Sequence, residues 1–274
     1  MGKKKKIRRG ILEIFLWLLV PIILVPYALV LITSLKDSAS AGLFQLTLPQ
    51  VWHWENYAVV WTEGNTLEGF LNSLKVALPM VFLSLACSSL LSFYLARVKT
   101  KFSKFVYMLV VMGMTAPLSI ATTFHLLNTV GILNKLIGVI LVQVGLEIPY
   151  LTFIMVGFME GLPIEMDEAA TLDGCGPYRM FVSIILPLLK PVIITALILA
   201  FMDSWNDAQV VLFFLNNWHN WTMPLNIYRF FRYYSKEWEY IFGSVFLTTL
   251  PVLILYLFGQ NYIIEGMTAG SVKG

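Results

Sequence analysis

Five side chains stand out within the otherwise apolar run 188–215: Asp203, Trp205, Asn206, Asp207 and Gln209. A charge at membrane depth costs about 2.5–3.5 kcal/mol on insertion scales and normally faces a cavity or a partner. Two chemistries fit them. Carboxylates, amides and an indole can line a pathway for a polar solute, or the same groups can bond this helix to a neighbouring subunit. Asn72, at the start of the run 70–96, is a further candidate for such a lining. The other chemistry-bearing stretch is Glu168-Ala169-Ala170-Thr171-Leu172-Asp173-Gly174, followed by Ile184-Ile185-Leu186-Pro187. It is a polar, glycine-containing island between two apolar runs. Catalytic arrangements are missing. His53, His125 and His219 are far apart, and Asp203 and Asp207 share one helix rather than facing each other from two. That argues against an intramembrane enzyme. Cys87 lies within an apolar run and Cys175 in the island, so neither a structural disulfide nor a metal spacing is expected. No G-x-x-x-x-G-K-[ST] sequence occurs, so the chain lacks a phosphate cradle of its own. A transporter or channel working alone would need ion-coupling carboxylates across several spans, and apart from Asp203 and Asp207 the spans carry almost none.

The island predicts two proline-started helical turns. Pro163 suits the first helical position, where a missing N–H costs nothing. Glu165, Asp167 and Glu168 then crowd the positive end of the helix dipole. Ala169, Ala170 and Leu172 form a small, smooth face that can enter a groove on another protein. Asp173-Gly174-Cys175-Gly176-Pro177 breaks the helix, Gly174 being suited to the left-handed conformation that ends helices. Pro177 starts the second turn, 177–182. Glu168 can either meet a basic residue of a partner or cap its own helix.

The elements that hold these residues are membrane helices. Of 274 residues, 58% are hydrophobic and only 13% charged, and the mean hydropathy is +0.76. Soluble domains run at about 45–50% apolar and about 25% charged. An all-α polytopic membrane protein is expected, each span needing ~20 apolar residues. Six spans are predicted, at 11–32, 70–96, 105–127, 135–158, 188–215 and 241–263, with the island at 159–187. The organisation is a basic N-terminus (1–10), a membrane domain (11–263) and a tail (264–274). The first run is too long for a signal-peptide core and lacks a cleavage site. Pro21 and Pro26 are expected to bend it, and Pro117 falls inside the third span. Ser84, Ser88, Ser92 and Ala96 recur every four residues, a small stripe of the kind that lets helices pack closely.

Lysine and arginine set the orientation. Lys3, Lys4, Lys5, Lys6, Arg8 and Arg9 open the chain, and Arg97, Lys99, Lys101 and Lys104 form a short basic loop. With the N-terminus in the cytoplasm, six spans put that loop, the island and the tail inside as well. A basic N-terminus before a membrane span reads as an anchor rather than a nucleic-acid patch. Arg229, Arg232 and Lys236, on the outer side, fit least well. The same outer loop carries Trp218, Trp221, Tyr228, Phe230, Phe231, Tyr233, Tyr234 and Trp238, an interfacial aromatic belt.

From Glu168 to Pro187 the island reads Glu-Ala-Ala, three residues, Gly, nine residues, Ile, one residue, Leu-Pro. This resembles the EAA loop of the inner-membrane permeases of binding-protein-dependent ABC importers. Leu71-Asn72-Ser73-Leu74, Ser204-Trp205-Asn206, Leu250-Pro251 and the ending Glu265 to Gly274 are similar to the carbohydrate-uptake branch, in particular its smaller maltose-type permeases. The resemblance implies a type I importer permease fold in a bacterial plasma membrane, and a transport subunit rather than an enzyme. It implies pairing with a second, homologous permease, two cytoplasmic ATPase subunits and an extracytoplasmic solute-binding protein that delivers a sugar. This chain would hold no cofactor, ATP and Mg being bound by the ATPases. The matching ATPase-coupling positions are Glu168, Ala169, Ala170, Asp173 and Gly174, with Thr268, Ala269 and Gly270 in the tail. Trp205 and Asn206 would suit stacking on and hydrogen-bonding a sugar. An importer of a non-sugar solute is the alternative, and the aromatic outer loop would also meet the docked binding protein.

Overall fold

The structure, a computed structural model, describes residues 3–231 and 236–269, the backbone alone for 3–12, 14–16 and 264–269. Among the described residues the secondary structure is helical, with no strand beyond one isolated bridge. In chain order the helices are α1 (Lys3–Ser34), α2 (Ser38–Ala41), α3 (Glu55–Thr62), α4 (Thr66–Arg97), α5 (Lys101–Gly113), α6 (Ile120–Val130) and α7 (Leu136–Met159). They continue as α8 (Glu165–Leu172), α9 (Pro177–Met180), a π-helical turn (Phe181–Ile185), α10 (Leu186–Leu188), α11 (Lys190–Asn206), α12 (Ala208–Phe214) and α13 (Trp238–Ala269).

Four described helices are long and apolar enough to cross a membrane: Trp17–Ser34 within α1, α4, α7, and Trp238–Ile263 within α13. The pair Pro177–Leu188 and Lys190–Asn206 also qualifies, bent by 76°. Two of the six expected spans are not single rods. The span expected at 105–127 is divided into α5 and α6 by residues 114–119. Pro117 cannot donate to a helix there and pushes Ala116 away from helical dihedrals. The span expected at 188–215 breaks at Asp207, whose backbone leaves the helical region (φ −73°, ψ 89°). Pro21 and Pro26 lie inside a helix that continues through both.

The described residues form two compact units. The first, Met1–Leu67 with Asn226–Leu250, has a small core of Val60, Phe230 and Ile241. Its loop after α1 is pinned from inside. Lys36 Nζ donates to Gln45 O (2.6 Å) and Thr47 Oγ1 (3.2 Å), and Asn56 Nδ2 donates to Ser34 O and Lys36 O.

The second unit, Glu68–Leu225 with Pro251–Gly274, holds both candidate stretches. Its main core joins Val76 and Met80 of α4, Val144 and Leu151 of α7, Ala196 and Ala200 of α11, and Val211 and Phe214 of α12. The serine stripe sets the register of α4 on α7. Ser88 Oγ donates to Ile148 O (3.3 Å) and Ser92 Oγ, one turn on, donates to Thr152 O (3.2 Å). The stripe is therefore packing, as small polar faces in membrane helices are. A second cluster gathers Ala96, Met159, Ala170, Met180, Phe181 and Ile185 around the island.

Candidate functional site

The island forms a knuckle at the end of α4 and α7. Helix α8 starts at Glu165, two residues later than a proline-first helix would, with Ile164 at the N-cap. Its N-cap residue, Ile164, makes no side-chain cap bond, and Glu168 lies exposed in the first turns. The helix ends as the glycine requires. Gly174 has φ +75°, Cys175 N–H donates to Ala170 O (2.9 Å) and Gly174 N–H to Thr171 O (3.0 Å). These are the two bonds of a Schellman motif, with Gly174 at its left-handed position. Pro177 opens α9 as expected. The backbone then widens into the π turn before Pro187, which has no N–H to give, and the 76° bend follows.

The period of 3.6 splits the two alanines. Ala170 is buried in the island's own cluster, whereas Ala169 faces out with Glu168, Thr171, Leu172 and Asp173. The smooth face expected from Ala169, Ala170 and Leu172 is thus not one face. Ala170 lets α8 approach the body of the chain, and the outward face is led by Leu172, 89% exposed. Tyr178, in the second turn, is exposed beside it in sequence.

The knuckle is held by an arginine that ends α4. Arg97 Nε lies 2.5 Å from Asp167 Oδ2, and Nη2 donates to Oδ1 at 3.3 Å. Its Nη1 donates to Met159 O (3.3 Å) and Leu162 O (3.5 Å), carbonyls at and just past the end of α7. Lys99 and Glu160 make a more exposed pair at 2.6 Å. From the sequence, Arg97 is legible only as a cytoplasmic-side charge.

The second site is a cavity of about 260 Å³ lined by Met80, Gln143, Leu146, Glu147, Asp203, Ser204, Asn206 and Asp207. Its geometry follows from the break at Asp207. Ser204 Oγ donates to Gln143 Oε1 (2.7 Å), Gln143 Nε2 donates to Asp207 Oδ2 (2.9 Å), and Val210 N–H donates to Asp207 Oδ1 (3.0 Å). Asp207 therefore caps α12 with one oxygen and takes the glutamine with the other. Glu147, only 6% exposed, lines the same cavity as Asp203. Asp203 and Asn206 are exposed at the cavity's mouth.

Gln143 and Glu147 are the residues that sequence reasoning missed. The span 135–158 reads as apolar, yet both sit in α7 at i and i+4, which places them on one face. That spacing was the available signal. It also corrects the expectation that Asp203 and Asp207 are nearly the only carboxylates in the spans.

Of the other expected pathway residues, Trp205 is turned away. It is 1% exposed and packs against Phe70 and Phe201, so its ring is not offered to a ligand. Asn72 is buried, and its Nδ2 donates to His219 O (2.6 Å) and Trp221 O (3.3 Å), which fastens a loop instead of lining the cavity. Gln209 is exposed on α12, outside the lining. Thr268 and Ala269 close α13 as backbone, while Gly270, the rest of the tail and Arg232 lie outside the described residues.

Residues 88–265 match the family described as binding-protein-dependent transport system inner membrane component. The chain is 31% identical over 250 residues to the probable starch degradation products transport system permease protein AmyC of Thermoanaerobacterium thermosulfurigenes, covering 90% of this chain and 91% of that one. It is 30% identical over 269 residues to the arabinooligosaccharides transport system permease protein AraQ of Bacillus subtilis, covering 96% and 95%. In fold it superposes, with a TM-score of 0.82 and 16% identity, on a chain from the crystal structure of a bacterial ABC transporter involved in the import of the acidic polysaccharide alginate, over 96% and 98% of the two chains. The EAA spacing, the helical membrane architecture and these matches converge: the chain belongs to the inner-membrane permease components of binding-protein-dependent transport systems.

Proposed function

We propose that this chain is one of two permease subunits of an ATP-driven importer for an oligosaccharide, with the α8 knuckle seated on a cytoplasmic ATPase subunit. The observation that carries the reading is the construction of the knuckle. A polar helix with one exposed leucine and one exposed alanine is clamped to the ends of the two helices that also wall a polar cavity. Arg97 and Lys99 pair with Asp167 and Glu160 beside it in space, and with Lys101 and Lys104 they make a basic end that the positive-inside rule would assign to the cytoplasm. On this reading α5 and α6 together make one broken crossing, and the cavity is one half of a pathway whose other half comes from the second permease. An extracytoplasmic binding protein would deliver the solute. Glu168 would meet a basic residue of the ATPase. ATP and Mg would stay with the ATPase subunits, and the 268–274 tail would reach toward them. The sugar assignment is supported by what the relatives are named for, starch degradation products and arabinooligosaccharides.

Two measurements test this. In a variant with Cys87 and Cys175 replaced, Leu172→Cys is expected to form a disulfide with a cysteine placed in the cleft of the co-purified ATPase, in a nucleotide-dependent yield. A knuckle that is never captured by any ATPase position would remove the reading. Asn206→Leu, at the mouth of the cavity, is expected to cut sugar uptake by about tenfold or more, since a buried sugar hydroxyl left without its partner costs about 1–3 kcal/mol, while complex assembly is kept. Normal uptake would assign Asn206 to contact between the permeases instead.

A further inference from the structure

We infer that Arg97 is the residue through which movement of the knuckle reaches the cavity, a positioning residue for coupled transport. The inference rests on the coupling reading above. Three observations lead to it. The guanidinium joins three elements at one point. It ends α4, pairs with Asp167 in the first turn of α8, and donates to Met159 O and Leu162 O at the end of α7. The junction is largely enclosed, the two side chains being 13% and 15% exposed. Finally, the helices it ties together are those that carry the cavity wall, α4 with Met80 and α7 with Gln143, Leu146 and Glu147.

The chemistry explains the residue type. A guanidinium has five donors in a rigid fork and here engages a carboxylate with two of its nitrogens and two carbonyls with the third. A lysine ammonium can replace the charge but not that fork. A shielded arginine–carboxylate pair with further hydrogen bonds resists shear, unlike an exposed ion pair such as Lys99–Glu160, which solvent and salt screen. Beside the pair, Ala96 of α4 and Ala170 of α8 belong to one buried apolar cluster. A displacement of α8 is therefore passed to α4 and α7 together rather than absorbed by a loop.

The test uses the complete importer, both permeases with the ATPase and the binding protein, in proteoliposomes. The readout is the amount of sugar moved per ATP hydrolysed, which a loss of assembled complex does not change. Arg97→Ala, Asp167→Ala and the double variant are compared. Each single variant is expected to lower the ratio by about tenfold, and the double variant to be no worse than either. A single variant with a wild-type ratio, or effects that multiply in the double variant, would overturn the inference. Should Arg97→Ala fail to assemble, Arg97→Lys and Asp167→Asn are read by the same criteria, with a partial loss expected. The Leu172→Cys capture is run on the same variants. Failure of capture in the wild-type background removes the coupling reading itself, whereas normal capture with an unchanged ratio removes only the role of Arg97.

Discussion

Gly174→Val is expected to uncouple the importer, and Gly174→Asn to spare it. The position has φ +75°, a conformation that costs an L-residue about 1–2 kcal/mol and a β-branched one more. A Cβ placed there meets nothing within 4 Å, so the penalty is in the backbone and not in a clash. A valine would be relieved by abandoning the left-handed turn. That breaks the bonds from Cys175 N–H to Ala170 O and from Gly174 N–H to Thr171 O, and it re-aims α9 relative to α8. A cost of 1–2 kcal/mol is a factor of roughly 5–30 in the population of the native turn, and ATP-driven uptake should fall by about that much. Asparagine tolerates the left-handed region and keeps the turn. Uptake assays on the two variants decide it: equal activity of both would mean that the turn's geometry does not matter for coupling.

Gln143→Leu should carry the largest stability cost among single substitutions at the cavity. Gln143 is buried and both ends of its amide are used, toward Ser204 and Asp207. A leucine of similar size leaves the Ser204 hydroxyl and one oxygen of Asp207 without that partner, at about 1–3 kcal/mol for each buried group stranded. The break between α11 and α12 then loses the contact that holds Asp207 from the α7 side. The thermal midpoint of the solubilised complex should drop by several degrees and uptake should fall with it. Ser204→Ala is the control. It removes the donor cleanly and leaves only an amide oxygen short of one bond, so its drop should be clearly smaller. A Gln143→Leu complex as stable as wild type would show that this network does not hold the break.

The two sites differ in what each asks of a partner. The knuckle is complete in this chain, with its C-terminal turn, clamp and apolar contact all internal. The cavity is not, because Asp203 and Asn206 stand exposed at its mouth. For that reason the coupling variants should behave alike for any solute, while those at Asn206 should depend on which sugar is offered.

Much of this was legible in the linear sequence, for simple reasons. Apolar runs of sufficient length are spans wherever they fold, because an unsatisfied backbone in lipid is too costly. Thus α4 and α7 came within a few residues of expectation. The turn at Gly174 and the start at Pro177 were legible because their dihedral demands are local. The division at 114–119 was not, since a proline in a membrane helix can be either a kink or a stop, and neighbouring helices decide. Nor was the inward turn of Ala170 and Trp205. Both follow from which face of the helix meets the body of the chain, and an eight-residue helix with small residues on several sides does not declare that face. Gln143 and Glu147 were hidden in a run whose mean hydropathy is high, and only their i, i+4 spacing marked them. The role of Arg97 depended entirely on three dimensions. Its partners lie 62 to 70 residues away in the chain, and no local rule of dihedral, period or charge connects residues at that separation. Packing alone brings them to one point.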